Sequence, residues 1–223
     1  MSEHRGTIRD MGLLDLSSAK TPEDLSGITS IHDVGAIVIP EDLAPALTRI
    51  EMHDVGSVIP IPRGTKVSLQ MGQTRLTGQA LADGPEDTIL VLVGQAIIVD
   101  RVESVGYREL HVIGQLLAPR GSEAALSPKI TKLTGQAVYY PEVEGARFIM
   151  GKEQIGRAFL ELLPRPTPLI VMGLLTIEAG TPADLLRAKV PEIVLLGKIR
   201  APEELVPLLQ VLAVEKQGAI EAV

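Results

Sequence analysis

A short phrase ending in glycine returns along the chain at intervals of about 21 residues, and this periodicity restricts the possible folds more than any other feature. Residues 31–35, IHDVG, return as residues 52–56, MHDVG, with four positions unchanged. Glycines in similar apolar surroundings follow at Gly78, Gly94, Gly114, Gly135, Gly173, Gly197 and Gly218, with Gly151 as a weaker member. Repetition at this spacing predicts similar units stacked into a solenoid.

A second repeated phrase, in which proline precedes acidic residues and a leucine, lies between the glycines. Its fuller copies are TPEDL at 21–25, IPEDL at 39–43, TPADL at 181–185 and APEEL at 201–205. Proline suits the first helical position because its missing N–H would lack a partner there, and nearby acids face the positive end of the helix dipole. Each copy therefore predicts a short helical turn. Leu43 and Leu47, like Leu205 and Leu209, are expected one turn apart on the buried face.

The residues after each glycine predict a strand. After Gly197, Lys198 and Arg200 alternate with Ile199 and Ala201, so the first and third positions are expected outside and the second and fourth inside. The same rule expects these side chains in the core: Ile37, Ile39, Ala96, Ile98, Leu116, Ala118, Ile220 and Ala222. A register shared by successive strands is what stacked parallel strands require.

The spacing of apolar residues resembles that of leucine-rich-repeat solenoids. Three segments carry the resemblance: Leu110-x-x-Ile113-Gly114-x-Leu116, Ile28-x-x-Ile31-x-x-Val34-Gly35-x-Ile37 and Ile130-x-x-Leu133-x-Gly135. That family usually places Asn, or sometimes Cys, at the turn between coils, whereas this chain contains neither residue and has glycine at the bend. The resemblance implies parallel strands joined by short helical turns, with a plainer β-solenoid as the alternative.

We therefore expect a repeat solenoid of about nine to ten coils of roughly 21 residues, with parallel β-strands stacked in a sheet and short proline-started helical turns. The expected divisions are an N-terminal cap or tail at 1–24, coils over 25–141, a helical interruption over 142–168 and further coils over 169–223. Apolar residues at helical spacing predict a helix over 152–163 within the interruption. The stretch from Val67 to Leu81 predicts either a hairpin or a distorted coil.

Charge and composition exclude several classes of partner. The net charge is −7 and no basic run is present, so neither nucleic acid nor an anionic membrane surface is expected as the main partner. The absence of Cys excludes disulfides and thiolate chemistry. Residues 1–10 lead into no secretory signal, and no apolar run approaches the length of a membrane helix. We expect a cytoplasmic protein without a cofactor.

The outward positions of the strands suggest an interaction face made of two columns. Glutamines expected to stack as a hydrogen-bonded ladder are Gln79, Gln95, Gln115 and Gln136. The apolar ribbon expected beside them consists of Ile59, Leu81, Ile97, Leu117 and Val138. An exposed ribbon of this kind would mark an interface, and the alternative is that another segment of the same chain covers it.

The repeated His-Asp pair is the one candidate metal site. His32 and Asp33 are expected to stack on His53 and Asp54, which brings two imidazoles and two carboxylates together, as zinc and similar ions accept. The alternative is a turn in which the Asp stabilises the bend and the His is solvated. His4 and His111 have no predicted partner.

The sequence carries no catalytic signature such as G-x-S-x-G, a phosphate-binding loop or H-E-x-x-H. The acidic pairs Glu41/Asp42, Glu86/Asp87 and Glu203/Glu204 are expected at helix starts, where the dipole accounts for them. The first hypothesis is a non-catalytic scaffold that self-associates through its strand face or through an open C-terminal coil. The alternatives are a leucine-rich-repeat type module that binds another protein, and a β-solenoid enzyme, either carbohydrate-active or an acyltransferase.

Overall fold

In the computed structural model, residues 6–141 and 146–223 are described, and they form mostly parallel strands in four sheets with a few short helices. The chain divides into two compact units, Met1–Val138 and Tyr139–Val223. No helix in the described ranges combines the length and apolar character needed to span a membrane.

The first unit is built on two sheets. Sheet A contains β1 (Gly6–Asp15), β2 (Ile28–Pro40), β3 (Glu51–Val55) and β4 (Val58–Ile61). Sheet B contains β5 (Lys66–Leu76), β6 (Thr88–Ile98), β7 (Glu109–Pro119) and β8 (Ile130–Tyr140) in that order. The connections carry 3-10 turns at Pro22–Leu25 and Ala44–Arg49 and the helices α1 (Gly78–Ala82) and α2 (Glu123–Leu126). The helical turn at Pro22 has a capping box, because the Thr21 side chain and the Asp24 side chain each accept from the other's backbone N–H.

Sheet A begins one repeat earlier than the His-Asp phrase indicates. β1 runs parallel to β2, with Arg9 in register with His32, and His32 is in turn in register with His53 on β3. Residues 8–12, IRDMG, are therefore structurally equivalent to IHDVG. Of the segment expected as a cap or tail at 1–24, residues 6–15 form this strand.

Sheet B contains no hairpin over Val67 to Leu81. β5 pairs in parallel with β6 along its whole length, from Lys66 opposite Thr88 to Leu76 opposite Ile98. The chain then enters α1. Gly72 has a positive φ of 80°, which bends the strand without reversing its direction. The stretch from Val67 to Leu81 therefore contains one strand, β5, followed by one helix, α1.

The second unit is built from strands in pairs. In chain order they are β9 (Arg147–Ile149), β10 (Lys152–Ile155), β11 (Leu169–Val171), β12 (Leu174–Ile177), β13 (Ile193–Leu195), β14 (Lys198–Ala201), β15 (Ala213–Lys216) and β16 (Ala219–Ala222). The odd-numbered strands form sheet C and the even-numbered strands form sheet D, both parallel. Connections hold α3 (Arg157–Leu162), α4 (Ala183–Lys189), a 3-10 turn at Glu203–Leu205 and α5 (Val206–Leu212).

The helix expected over 152–163 is only half that long. Lys152–Ile155 is strand β10, which follows Gly151 as other strands follow their glycines, and α3 begins after Gly156. The helical period was present in the sequence, but strand pairing with Leu174–Ile177 prevails over its first four residues. Residues 142–145 of the expected interruption lie outside the described residues.

Glycines occupy equivalent positions on neighbouring strands. At these positions the backbone of one strand fills the space that a side chain on the next strand would need. A Cβ on Gly35 would lie 2.7 Å from the carbonyl oxygen of Gly12, and one on Gly94 would lie 2.5 Å from that of Gly72. The three columns are Gly12–Gly35–Gly56, Gly72–Gly94–Gly114–Gly135 and Gly151–Gly173–Gly197–Gly218. Gly78, which the sequence placed in this series, instead begins α1, and Gly72 takes its place.

The glycine carbonyls also carry hydrogen bonds between strands. The backbone N–H of Leu174 donates to the Gly151 oxygen at 2.8 Å, and that of Lys198 donates to the Gly173 oxygen at 2.8 Å. Close approach and hydrogen bonding are therefore two results of one geometry, which a side chain at the glycine would disrupt.

The interior consists of aliphatic layers. Leu43, Leu47, Leu205 and Leu209 are buried, as the helical spacing predicted. One cluster joins sheet A to its 3-10 turns, and a second fills the second unit. A third lies between sheets A and B and contains Ala36, Val38, Ile59, Ile61, Ile89 and Val91. Both faces of β2 are therefore covered.

The glycine columns give a matched pair of substitutions. Gly173→Ala would press its Cβ against the Gly151 and Met150 carbonyl oxygens, whereas a Cβ on Gly151 has nothing within 4 Å. We expect Gly173→Ala to lower the free energy of unfolding by about 1–3 kcal/mol. Gly151→Ala should leave it unchanged or raise it by up to about 1 kcal/mol. Urea unfolding followed by circular dichroism measures both, and equal losses would contradict the column.

Candidate functional site

A glutamine ladder runs on sheet B from Gln73 through Gln95 to Gln115, with Gln73 and not Gln79 as its first member. Gln73 Nε2 donates to Gln95 Oε1 at 2.6 Å, and Gln95 Nε2 donates to Gln115 Oε1 at 2.9 Å. Each of these residues follows a glycine of the second column, and Gln136 follows Gly135 in the same way. The amides of Gln73, Gln95 and Gln115 therefore form a directional chain on sheet B, in which Gln73 and Gln95 each donate to the next strand.

Gln79 does not belong to this ladder. It lies on α1, where its side-chain amide donates to Asp83 Oδ1 at 2.7 Å. The region contains two Gly-Gln pairs, at 72–73 and 78–79, and the spacing of the second from Gly56 is closer to the repeat. Thr77 marks the difference, since its hydroxyl accepts from the Ala80 N–H as a helix N-cap.

The apolar ribbon is interior and does not form an exposed face. Ile59, Leu81, Ile97, Leu117 and Val138 are all buried, at 0–3% exposure. Ile59 packs in the layer between sheets A and B, and Leu81 lies on α1 and not on a strand. At the repeat of Gly197, by contrast, Lys198 and Arg200 do lie on a more open face. In the first unit the equivalent positions are covered by other parts of the fold.

The two His-Asp pairs stack as expected but do not converge. The His32 and His53 rings lie 4.9 Å apart and are nearly parallel, at 9°. His53 Nε2 is 2.8 Å from Glu51 Oε1, and this hydrogen bond lowers the pKa of Glu51. Parallel rings direct their nitrogen atoms side by side, whereas a metal ion needs ligands that point to one centre. In the described ranges no group of three or more His, Asp or Glu side chains is placed to hold a metal ion.

The aspartates of this phrase set the bend in sheet A. Asp10, Asp33 and Asp54 have φ values of 57°, 52° and 52°, in the left-handed region that Asp tolerates better than most residues. In sheet B the bend falls on the glycines themselves, with φ of 103° at Gly94 and 121° at Gly114. This geometry favours the turn interpretation of the His-Asp repeat over the metal interpretation.

The acidic pairs form ordinary surface contacts. Lys66 Nζ lies 2.7 Å from Asp87 Oδ2, and this hydrogen bond lowers the pKa of Asp87. Asp42 pairs with Arg63. Glu203 and Glu204 begin the 3-10 turn before α5, where the sequence placed a helix start.

Strands β15 and β16 form an edge of the second unit with exposed apolar side chains nearby. β15 and β16 are the last strands of sheets C and D, and each pairs with a neighbour on one side only within the described residues. Three exposed valines surround this edge: Val211 at 75%, Val214 at 58% and Val223 at 73%. Glu221 on β16 binds Lys198 Nζ at 2.6 Å, which lowers the pKa of the Glu221 carboxyl. The sequence indicated an open coil here but did not single out the valines.

No protein-family model matches the chain, and no curated protein or solved structure is significantly similar to it.

Removing an inner member of the glutamine ladder should cost stability. Gln95 donates one hydrogen bond and accepts another, so we expect Gln95→Ala to lower the free energy of unfolding by about 1–2 kcal/mol. Gln79→Ala, which removes one exposed helical contact, should change it by less than about 0.5 kcal/mol. Thermal unfolding of the two variants distinguishes the ladder from the helix. Equal effects would show that the ladder contributes no stability.

The buried ribbon gives a second matched pair. Leu117 is fully buried, so Leu117→Glu places an unpaired carboxylate in an apolar layer and should abolish the native far-ultraviolet spectrum. Leu133 on β8 is 46% exposed, and Leu133→Glu should fold normally. A folded Leu117→Glu protein would mean that this part of the ribbon is on the surface.

Proposed function

We propose that this chain is a non-catalytic structural protein, a strand-rich solenoid in which copies associate through the edge strands β15 and β16. The recurring strand intervals, the parallel pairing and the glycine columns support successive coils of similar shape. Interior coils satisfy their backbone groups on both sides, whereas an end coil leaves one row unpaired. The open edge is the single observation that carries this proposal.

The hydrogen-bond pattern of β16 supports strand addition. Ala219 N–H and Val223 N–H donate to the oxygens of Gly197 and Ala201 on the β14 side. Because residues alternate their direction along a parallel strand, Ile220 and Ala222 direct their N–H and C=O groups away from β14. These groups are available to a strand of a second copy.

The apolar residues at this edge support the same conclusion. Val214 and Val223 are exposed next to the unpaired backbone, and Val211 extends the apolar surface onto α5. Natural sheets usually protect an open edge with charge, proline or a covering segment. Here the charge on β16 is used internally, because Glu221 pairs with Lys198 and with Arg200 at 3.4 Å. The second copy is therefore the occupant that we propose for the edge.

Proline at position 222 tests this edge directly. Ala222→Pro removes an N–H that points away from β14, so the chain should still fold while the added strand loses a donor. Ala222→Thr keeps the N–H and serves as the matched control. We expect size-exclusion chromatography with light scattering to give a concentration-dependent mass above 23.8 kDa for the wild type and Ala222→Thr, but a monomer for Ala222→Pro.

Two outcomes would contradict the proposal. A wild-type mass of 23.8 kDa at every concentration would exclude self-association and favour the protein-recognition module. Assembly that Ala222→Pro and Val214→Glu both leave intact would place the interface elsewhere on the chain. Native circular dichroism of each variant ensures that loss of assembly is not loss of fold.

A further inference from the structure

His111 is the one buried side chain of the described residues that has a polar atom without a hydrogen-bond partner. It lies on β7 with 1% of its surface exposed. Nε2 is 3.2 Å from Glu109 Oε2, whereas Nδ1 has no partner among the described residues. Buried polar atoms are nearly always paired, so an unpaired one requires a physical account.

The contact with Glu109 determines which nitrogen carries the proton. Thr131 Oγ1 donates to Glu109 Oε2 at 2.7 Å, and this hydrogen bond, together with that from His111, lowers the pKa of Glu109. An ionised carboxylate only accepts hydrogen bonds. Nε2 of neutral His111 is therefore the protonated nitrogen, and Nδ1 presents a lone pair.

The imidazole lies beside a cavity where sheet A meets sheet B. The cavity has a volume of about 40 Å³, which is large enough to admit water. It is lined by Ser57, Val58 and Ile59 from sheet A and its connection and by His111, Ile113, Lys132 and Thr134 from sheet B. These lining residues form the contact between the two sheets, which we call the joint. Lys132 Nζ spans the joint and donates to the Pro60 oxygen at 2.6 Å.

We propose that His111 makes the joint between sheets A and B sensitive to acid: the joint is closed while the imidazole is neutral and loosens when His111 takes up a proton. A proton on Nδ1 would convert the lone pair into a buried cation against the aliphatic side chains of Val58, Ile59 and Ile113. Such a charge is costly to bury unless it is fully paired.

The charges that face His111 do not fully compensate this cost. Burial is the largest influence on the pKa of His111 and lowers it, and Lys132 on β8 lowers it further. Glu109 on its own strand and Glu41 after β2 act in the opposite direction, with a smaller total effect. Glu109 is shared, because it also accepts from Thr131 and lies 3.7 Å from Arg108.

The direction of the pH effect follows from this lowered pKa. Below the ordinary histidine value of 6.5 the unfolded chain binds a proton at residue 111 while the folded chain resists it. The stability is therefore complete above pH 6.5 and is lost as the pH falls below that value. Glu109, whose pKa is also lowered, adds to this loss only below its ordinary value of 4.5. A decline in stability between pH 6.5 and pH 4.5 therefore reflects protonation of histidine.

The joint covers an apolar layer, so its loosening has a visible result. Ile59, Ile61, Ile89 and Val91 pack together between the two sheets. Separation of the sheets would expose this layer to solvent or to a binding partner. We therefore expect binding of the dye ANS to rise as the joint opens.

The test compares the wild type with His111→Leu and with His53→Gln as the exposed-histidine control. Between pH 7 and pH 5 we expect the unfolding equilibrium constant of the wild type to rise roughly tenfold, with an increase in ANS fluorescence. His111→Leu, which is apolar and does not titrate, should lose most of this pH dependence. His53→Gln should retain it.

An NMR titration of the wild-type His111 ring gives an answer that does not depend on any variant folding. We expect a midpoint below 6.5 and the Nε2-protonated tautomer at neutral pH. A midpoint at or above 6.5, or the same pH profile in His111→Leu as in the wild type, would overturn the proposal.

Discussion

The close approach of backbone to backbone at the glycine columns is the constraint on which the other features depend. Within a column, each glycine after the first receives the carbonyl oxygen of the preceding one in the space where a side chain would begin. The contact holds successive strands in one register, so that alternate side chains form continuous columns. The stacked histidines of sheet A and the glutamine ladder of sheet B are consequences of this register.

Much of the parallel-strand fold could be predicted from the glycine period, because the period reflects a contact made by the glycines themselves. Which of Gly72 and Gly78 belongs to the column could not be predicted, since both precede a glutamine. Only the helix N-cap at Thr77 shows that Gly78 begins a helix and not a strand. The equivalence of Arg9-Asp10 with His32-Asp33 was hidden because Arg and His share little except a position on the bend. Local sequence identity is therefore a weaker signal than the conformation that Asp and Gly permit.

The candidate site was predicted less well, and for one reason. Alternation shows that a strand has two faces, but it does not show what covers each of them. Ile59 and Leu117 were expected outside by analogy with Arg200, yet the second face of these strands is buried while that of β14 is not. Burial of that kind depends on contacts distant in sequence, such as those of Ile59 with the Ile89 and Val91 layer. The surroundings of His111 could not be predicted for the same reason, because its neighbours Ser57 and Lys132 come from separate parts of the chain.

The spacing of the glycines has a consequence for how such a chain can change in length. Successive column glycines are separated by 20 residues between Gly94 and Gly114 but by 24 between Gly173 and Gly197, although the strands stay in register. The additional residues are accommodated in the connecting segments, such as the one that holds α4. Insertions and deletions in the turns are therefore compatible with the fold. A single residue added within a strand would displace the remaining side chains of that strand to the opposite face. The strands should therefore retain a fixed length while the turns vary.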